Sequence, residues 1–247
     1  PKDREHPNSK EKFIDLINEI FFLQNNNNQR DKWIMYKLNI DSWLKNIIFY
    51  FLWFETHFDF IEETVDLIIT SPPYCIGKEY ENPHDDIESF KKQHIDIFDD
   101  LYRVLKVGGS ICWQIGYHVS DKCVIPLDYI IYDLFTSLSK VKQHPFILRN
   151  RIIWTFGHGL NSTSRFSGRH EIILWFTKGD QKTFNLDCVR VPQKYPGKKS
   201  YKGPNKGKLS GNPLGKNPSD VWDIPNVKAN HVEKTDHPCQ FPVALPM

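Results

Sequence analysis

The apolar run Val65-Asp66-Leu67-Ile68-Ile69 stops at Thr70-Ser71-Pro72-Pro73-Tyr74, and that stop limits the possible folds more than any other feature of the chain. Val65, Leu67, Ile68 and Ile69 form a short, nearly continuous apolar stretch, the pattern of a parallel strand buried on both faces. Two successive prolines fix φ and remove two backbone N–H groups, so the strand cannot continue. The corner is stiff, and its carbonyls are left to accept hydrogen bonds from something other than a neighbouring strand. Ser71 adds a hydroxyl and Tyr74 a flat face. In parallel α/β sheets, ligands bind beyond the carboxyl ends of the strands, where this corner falls.

The following residues supply the rest of such a sheet. Ile87, Phe90, His94, Ile97, Phe98, Leu101 and Leu105 recur with helical spacing over 87–105. Val107-Gly108-Gly109 reads as a turn, with a glycine at 108 or 109 capping the helix. Ser110–Ile115 reads as the next strand, 126–139 as a second helix, and Arg151–Trp154 and Ile172–Phe176 as two further strands. Strands alternating with helices imply an α/β fold with parallel elements. Ahead of this region, Phe13, Ile14, Leu16, Ile17, Ile20 and Phe21 have amphipathic helical spacing, Asn25–Asn28 is a loop, and 33–60 is aromatic without a clear period. The sequence divides into an N-terminal extension (1–60), an α/β region (61–182), a basic segment (183–232) and a closing segment (233–247).

Charge is informative only locally. The chain has 32 Lys and Arg against 30 Asp and Glu, a net +2. Between Asp187 and Asp220, however, there is no acid, while Arg190, Lys194, Lys198, Lys199, Lys202, Lys206, Lys208 and Lys216 all occur, interleaved with Gly, Pro, Tyr195 and Tyr201. A charge run is commonly a solvated face. The complete absence of acids over this length favours contact with nucleic-acid phosphates, with Asn, Gln and Arg available to read base edges. The loop Gly157–Gly168, rich in Gly, Ser and Asn, adds Arg165 and the adjoining Arg169 as phosphate contacts. Cys75, Cys112, Cys123, Cys188 and Cys239 are scattered without a C-x-x-C pair, which argues against zinc and fits a reducing, cytoplasmic compartment. The most apolar stretch, Trp43–Phe54, is too short and too polar to span a bilayer.

The Ser-Pro-Pro-Tyr corner suits an exocyclic amine on a nucleobase. Such an amine is a poor nucleophile, because its lone pair is delocalised into the ring. Two acceptors on its N–H groups hold it near tetrahedral and aim the lone pair at an electrophile. Reaching a base in a duplex requires extruding it, and stacking on an aromatic ring contributes about 1–3 kcal/mol. Thr70-Ser71-Pro72-Pro73-Tyr74 resembles the catalytic motif of the DNA amino-methyltransferases. The resemblance implies that Ser71, Pro72, Pro73 and Tyr74 form the catalytic loop. In that family a Ser at the first motif position usually accompanies methylation of cytosine N4, and Asp or Asn that of adenine N6; cytosine N4 is therefore expected.

Asp100–Ser110 resembles the helix–turn–strand after that loop, with Val107 where Pro is common. Arg149–Trp154 and Arg169–Phe176 resemble strands of the second half of the catalytic region. His170-Glu171 is readable as an acid–base pair, but the preferred reading is that both residues end a loop and fix the sheet edge. His237-Pro238-Cys239-Gln240-Phe241-Pro242 resembles the segment ahead of the methyl-donor strand, implying that His237, Pro238, Phe241 and Pro242 contact S-adenosylmethionine.

The implied fold is a Rossmann-like, S-adenosylmethionine-dependent methyltransferase sheet, incomplete, with a loop-rich basic insertion. In members with this motif order, a strand ending in a glycine-rich donor loop follows, and the chain reaches Met247 without one. With Pro1 at the other end, the expectation is a fragment of a longer enzyme, ahead of a split enzyme completed by a second polypeptide or a decayed gene product. The implied partners are double-stranded DNA and whatever segment carries the donor loop, with no membrane, in a restriction–modification system or as a solitary methylase. Competing readings are adenine N6 methylation, a non-catalytic DNA-binding fragment, and methylation of RNA or protein glutamine.

Overall fold

The computed structural model describes residues 62–74, 86–159, 161–228, 231–235 and 240–246, together with the backbone of two strands, β1 (Ile34–Met35) and β2 (Ile47–Phe51). The amphipathic helix expected at 13–21 lies outside them, as do His237 and Pro238. The further elements are β3 (Val65–Thr70), α1 (Ile87–Val104), β4 (Leu105–Ile115), β5 (His118–Ser120), β6 (Cys123–Ile125), α2 (Leu127–Ser139), β7 (Phe146–Thr155), β8 (His170–Lys178), α3 (Leu186–Val189) and β9 (Val221–Asp223).

One sheet runs β1-β2-β3-β4-β8-β7-β9, and β5-β6 form a separate hairpin. Strands β2, β3 and β4 are parallel; β8 lies antiparallel between β4 and β7; β9 is parallel to β7. The ends of β3, β4 and β7 and the start of β8 therefore meet at one edge of the sheet.

Strand alternation separates two faces. On the first, Ile68, Ile111, Trp113, Ile115, Ile172, Leu174 and Phe176 pack under Phe90, Phe98, Leu101 and Val104 of α1 and Leu127, Ile131 and Phe135 of α2. The rings interlock edge to face, Trp113 on Phe135 at 5.1 Å and Phe98 on Phe146 at 5.6 Å between centroids. On the second face, Ile152, Trp154 and Ile173 meet Leu245, with Cys112, Trp222, Ile224 and Phe241 around them. The closing segment thus lies across the face opposite the helices. No helix among the described residues is long and apolar enough to cross a membrane.

Helix α1 begins as its sequence dictates, with the Asp86 carboxylate accepting from the Ser89 N–H (2.8 Å). Its end differs from the glycine cap expected at 108 or 109. The helix stops at Val104 and passes directly into β4, whose first residue, Leu105, donates its N–H to the Leu101 carbonyl. Gly108, at φ 81°, instead lies inside β4, where the pairing shifts from Val65–Leu105 to Leu67–Ser110. The expected turn is a bulge that absorbs the extra residues.

The remaining carbonyls of the last turn find partners from elsewhere. Arg103 and Val104 accept from the N–H groups of Glu63 and Thr64 (3.0 Å each). Tyr102 and Leu105 accept from the Lys178 ammonium (2.8 and 2.9 Å), which also pairs with Glu63 (3.0 Å) and lies 4.2 Å from the Tyr102 ring centroid. A lysine from β8 thus closes the helix where no glycine does.

His94 is enclosed on α1, 2% exposed, against Phe90 and Trp113. Burial pushes its imidazole down to about 4, and the Nδ1–H bond to the Phe90 carbonyl (2.7 Å) offsets this only in part. The unfolded chain binds a proton near pH 6.5 and the folded chain does not. Stability should therefore be full above pH 6.5 and fall as pH drops toward about 4, by about 3 kcal/mol from this residue. Urea midpoints across pH 7.5 to 5 should decline in the wild type and flatten in His94→Leu. An unchanged slope would assign the acid sensitivity elsewhere.

Candidate active site

The Ser-Pro-Pro-Tyr corner follows β3 at the edge where strand ends converge. Ser71, Pro73 and Tyr74 are half-buried and Pro72 is buried. The pairing of Thr70 with Trp113 places Ser71 beside Gln114 on the second face. There the Ser71 hydroxyl donates to Gln114 Oε1, and Gln114 Nε2 donates to the Glu171 carboxylate. Three neighbouring strands are thereby joined by one polar chain. Gln114 is 4% exposed and lies between Trp113 and Ile115.

Tyr74 leans over Gly116, just past the end of β4. A Cβ built on Gly116 would meet Tyr74 Cε2 at 3.0 Å and Glu171 Oε1 at 3.4 Å. The missing side chain is what lets ring and carboxylate share the corner. Cys112 lies two residues before Gln114 on the same face, where desolvation pushes its thiol up to about 12.

His170 and Glu171 part company. Successive strand residues face opposite ways. His170 pairs with Thr155 and is exposed, as the edge reading expects, whereas Glu171 turns to the second face and reaches Gln114. Glu171, second in β8, thereby ties that strand to β4. Gln114 was not singled out by the sequence reading, although a polar residue inside the apolar strand Ile111-Cys112-Trp113-Gln114-Ile115 was the available signal.

Phe241 is half-buried and packs against the second-face cluster, and Pro242 is buried. Gln240 staples this bend by donating to the Glu233 carbonyl (2.6 Å) and accepting from Thr235 N–H (2.9 Å).

The basic segment is a closed loop. Val191 and Lys216 exchange backbone hydrogen bonds (3.0 and 2.9 Å), and Arg190 reaches the Gly215 carbonyl (3.0 Å). Lys194, Lys198, Lys199, Lys202, Lys206 and Lys208 are all exposed, and none forms an ion pair among the described residues. Lys194 and Lys198 flank the Tyr195 ring at 5.5 and 5.8 Å. Arg165 is exposed beside Ser162, while Arg169 is engaged within its own loop by Gly168 O (2.8 Å) and Asn161 Oδ1 (2.7 Å).

The sequence pattern of the DNA methylase family matches residues 65–247. The chain belongs to that family. It is 49% identical over 185 residues to the type II methyltransferase M.BglII of Bacillus subtilis, covering 74% of this chain and 49% of the relative. It is 36% identical over 192 residues to the type II methyltransferase M.ScaI of Streptomyces caespitosus, covering 74% and 58%. This DNA methylase family member thus spans about half the length of these curated relatives. Among solved structures, the PvuII DNA methyltransferase (cytosine-N4-specific) aligns with a TM-score of 0.53 and 17% identity over 76% of this chain and 63% of that one. The fold is accordingly the Rossmann-like α/β methyltransferase sheet, carrying the basic loop between α3 and β9.

Proposed function

We propose that the chain carries the catalytic corner and DNA-contacting loop of a DNA methyltransferase that places a methyl group on N4 of an extruded cytosine. The carrying observation is the Ser71–Tyr74 corner at the carboxyl end of a parallel strand, where Ser71, Pro73 and Tyr74 are half-exposed. Ser71 Oγ and a carbonyl of the proline pair accept the two amine N–H groups, and Tyr74 stacks on the base. With both N–H groups held, the nitrogen lone pair is left free to act as the nucleophile. S-adenosylmethionine, when bound, would supply the methyl group as a sulfonium, with the neutral thioether as leaving group. The alkylated nitrogen then releases one proton to water.

In this reading Phe241, packed against the second-face cluster, would contact the donor. His237 and Pro238 of the same segment are also assigned to the donor in this reading, with the buried Pro242. The choice of cytosine rests on Ser71. Adenine N6 is the second reading, favoured by 29% identity over 191 residues to the DNA adenine methyltransferase YhdJ of Escherichia coli. The test uses protein expressed from its complete reading frame, with duplex DNA and labelled S-adenosylmethionine. N4-methylcytosine in the digested DNA is the expected product. N6-methyladenine would overturn the base assignment, and unlabelled DNA the reaction.

Lys194, Lys198, Lys199, Lys202, Lys206 and Lys208, with Arg165, supply phosphate contacts in this reading. Each phosphate neutralised contributes about 0.9 to the slope of log K against log salt. The triple variant Lys198→Ala, Lys199→Ala, Lys202→Ala should therefore lower that slope by about 2–3 in anisotropy titrations of duplex DNA over 50–200 mM salt. A slope equal to wild type would place the DNA elsewhere.

A further inference from the structure

We infer that Glu171 is a positioning residue which, through Gln114, fixes the direction of the Ser71 O–H and so leaves the serine oxygen as a pure acceptor toward the substrate amine. The inference rests on the amine-methylation reading above and assigns roles to two side chains outside the motif.

The argument is one of hydrogen-bond polarity. A buried glutamine amide can sit in two orientations, with its carbonyl toward either neighbour. A carboxylate only accepts. With the amide reversed, Gln114 Oε1 would face a Glu171 oxygen, two acceptors with no proton between them, inside the sheet where an unpaired polar contact is costly. Glu171 therefore holds the amide NH2 toward itself and the carbonyl toward Ser71, as observed. Ser71 has a single proton, and that proton is committed to Gln114. What the hydroxyl offers the corner is lone pairs, the complement of an amine N–H. Without the lock, the amide can turn its NH2 to Ser71, the hydroxyl can rotate its proton toward the base, and an acceptor is lost at the moment it is needed. The chain spans β3, β4 and β8, so its direction is set by three strands whose relative positions the pairing fixes.

The test is a charge swap in protein expressed from its complete reading frame, read as steady-state methyl transfer to duplex DNA with product identification and a thermal unfolding control. Glu171→Gln removes the lock, and Gln114→Glu sets two carboxylates against each other. Each should lower kcat about tenfold or more, with KM for DNA and donor within about twofold. The double variant Glu171→Gln/Gln114→Glu restores the polarity: the amide at 171 donates to the carboxylate at 114, which still accepts from Ser71. It should return kcat to within about threefold of wild type. Should Gln114→Glu unfold, Gln114→Leu takes its place as the relay-breaking variant, with the same kcat loss expected. Wild-type turnover in Glu171→Gln, or in Gln114→Leu, overturns the inference, as does a folded double variant no better than its worse parent. A wild-type protein that methylates no exocyclic amine takes down the underlying reading as well, whereas an unrescued swap in an active enzyme takes down only this one.

Discussion

Replacing Ser71 with alanine is expected to slow methyl transfer by about 10²–10³-fold while leaving the fold in place. In the proposed reaction the hydroxyl acts as a preoriented acceptor for the amine, and deleting one such group from an enclosed site typically costs about 2.7–4 kcal/mol of transition-state stabilisation. The structural cost is smaller. Ser71 is half-buried, follows the strand and bonds only to Gln114 among the described partners, so the loss to folding is that of one hydrogen bond, about 1 kcal/mol. Single-turnover rates at saturating DNA, with an unfolding midpoint alongside, separate the two effects. An alanine variant that turns over at the wild-type rate would remove the hydroxyl from the chemistry.

The second large effect concerns stability. Lys178→Ala should destabilise the protein by about 2–5 kcal/mol, a large share of the 5–15 kcal/mol typical of a folded domain. Lys178 is 3% exposed, and its ammonium satisfies the Tyr102 and Leu105 carbonyls and pairs with Glu63. Removing it leaves two carbonyls at the helix–strand join without their donor and takes away the cation over the Tyr102 ring. Lys178→Met keeps the apolar stem but not the donors, and should recover only the packing part of the loss. Urea unfolding of the three proteins measures both. A loss under about 1 kcal/mol in Lys178→Ala would show that the helix end is held by its other bonds.

Local pattern made much of this molecule legible. The apolar run of β3 and its double-proline stop placed the corner, and the periodic apolar positions of α1 and α2 placed both helices to within a residue or so, because burial on one face imposes that spacing. Features set by distant partners were not legible. Gln114 and Glu171 are 57 positions apart, and only the antiparallel insertion of β8 beside β4 brings them together. Gly108 looked like a cap because glycine at positive φ usually ends a helix; here a lysine some 70 residues away makes the cap and frees the glycine to form a bulge. The β5–β6 hairpin gave no signal, since its turn is Asp121-Lys122, both at positive φ without a glycine, between strands of three residues.

The closed stem of the basic loop has a consequence for how such a chain can change. Because Val191 and Lys216 meet as a pair, whatever lies between them enters and leaves the body through one doorway. Gly215 guards its width: a methyl group there would meet the Val191 carbonyl oxygen at 2.5 Å. The contents of that enclosure can lengthen, shorten or be exchanged wholesale without moving β7 or β8. If the loop contacts DNA as proposed, a change of loop contents would alter that contact while the paired stem stays as it is.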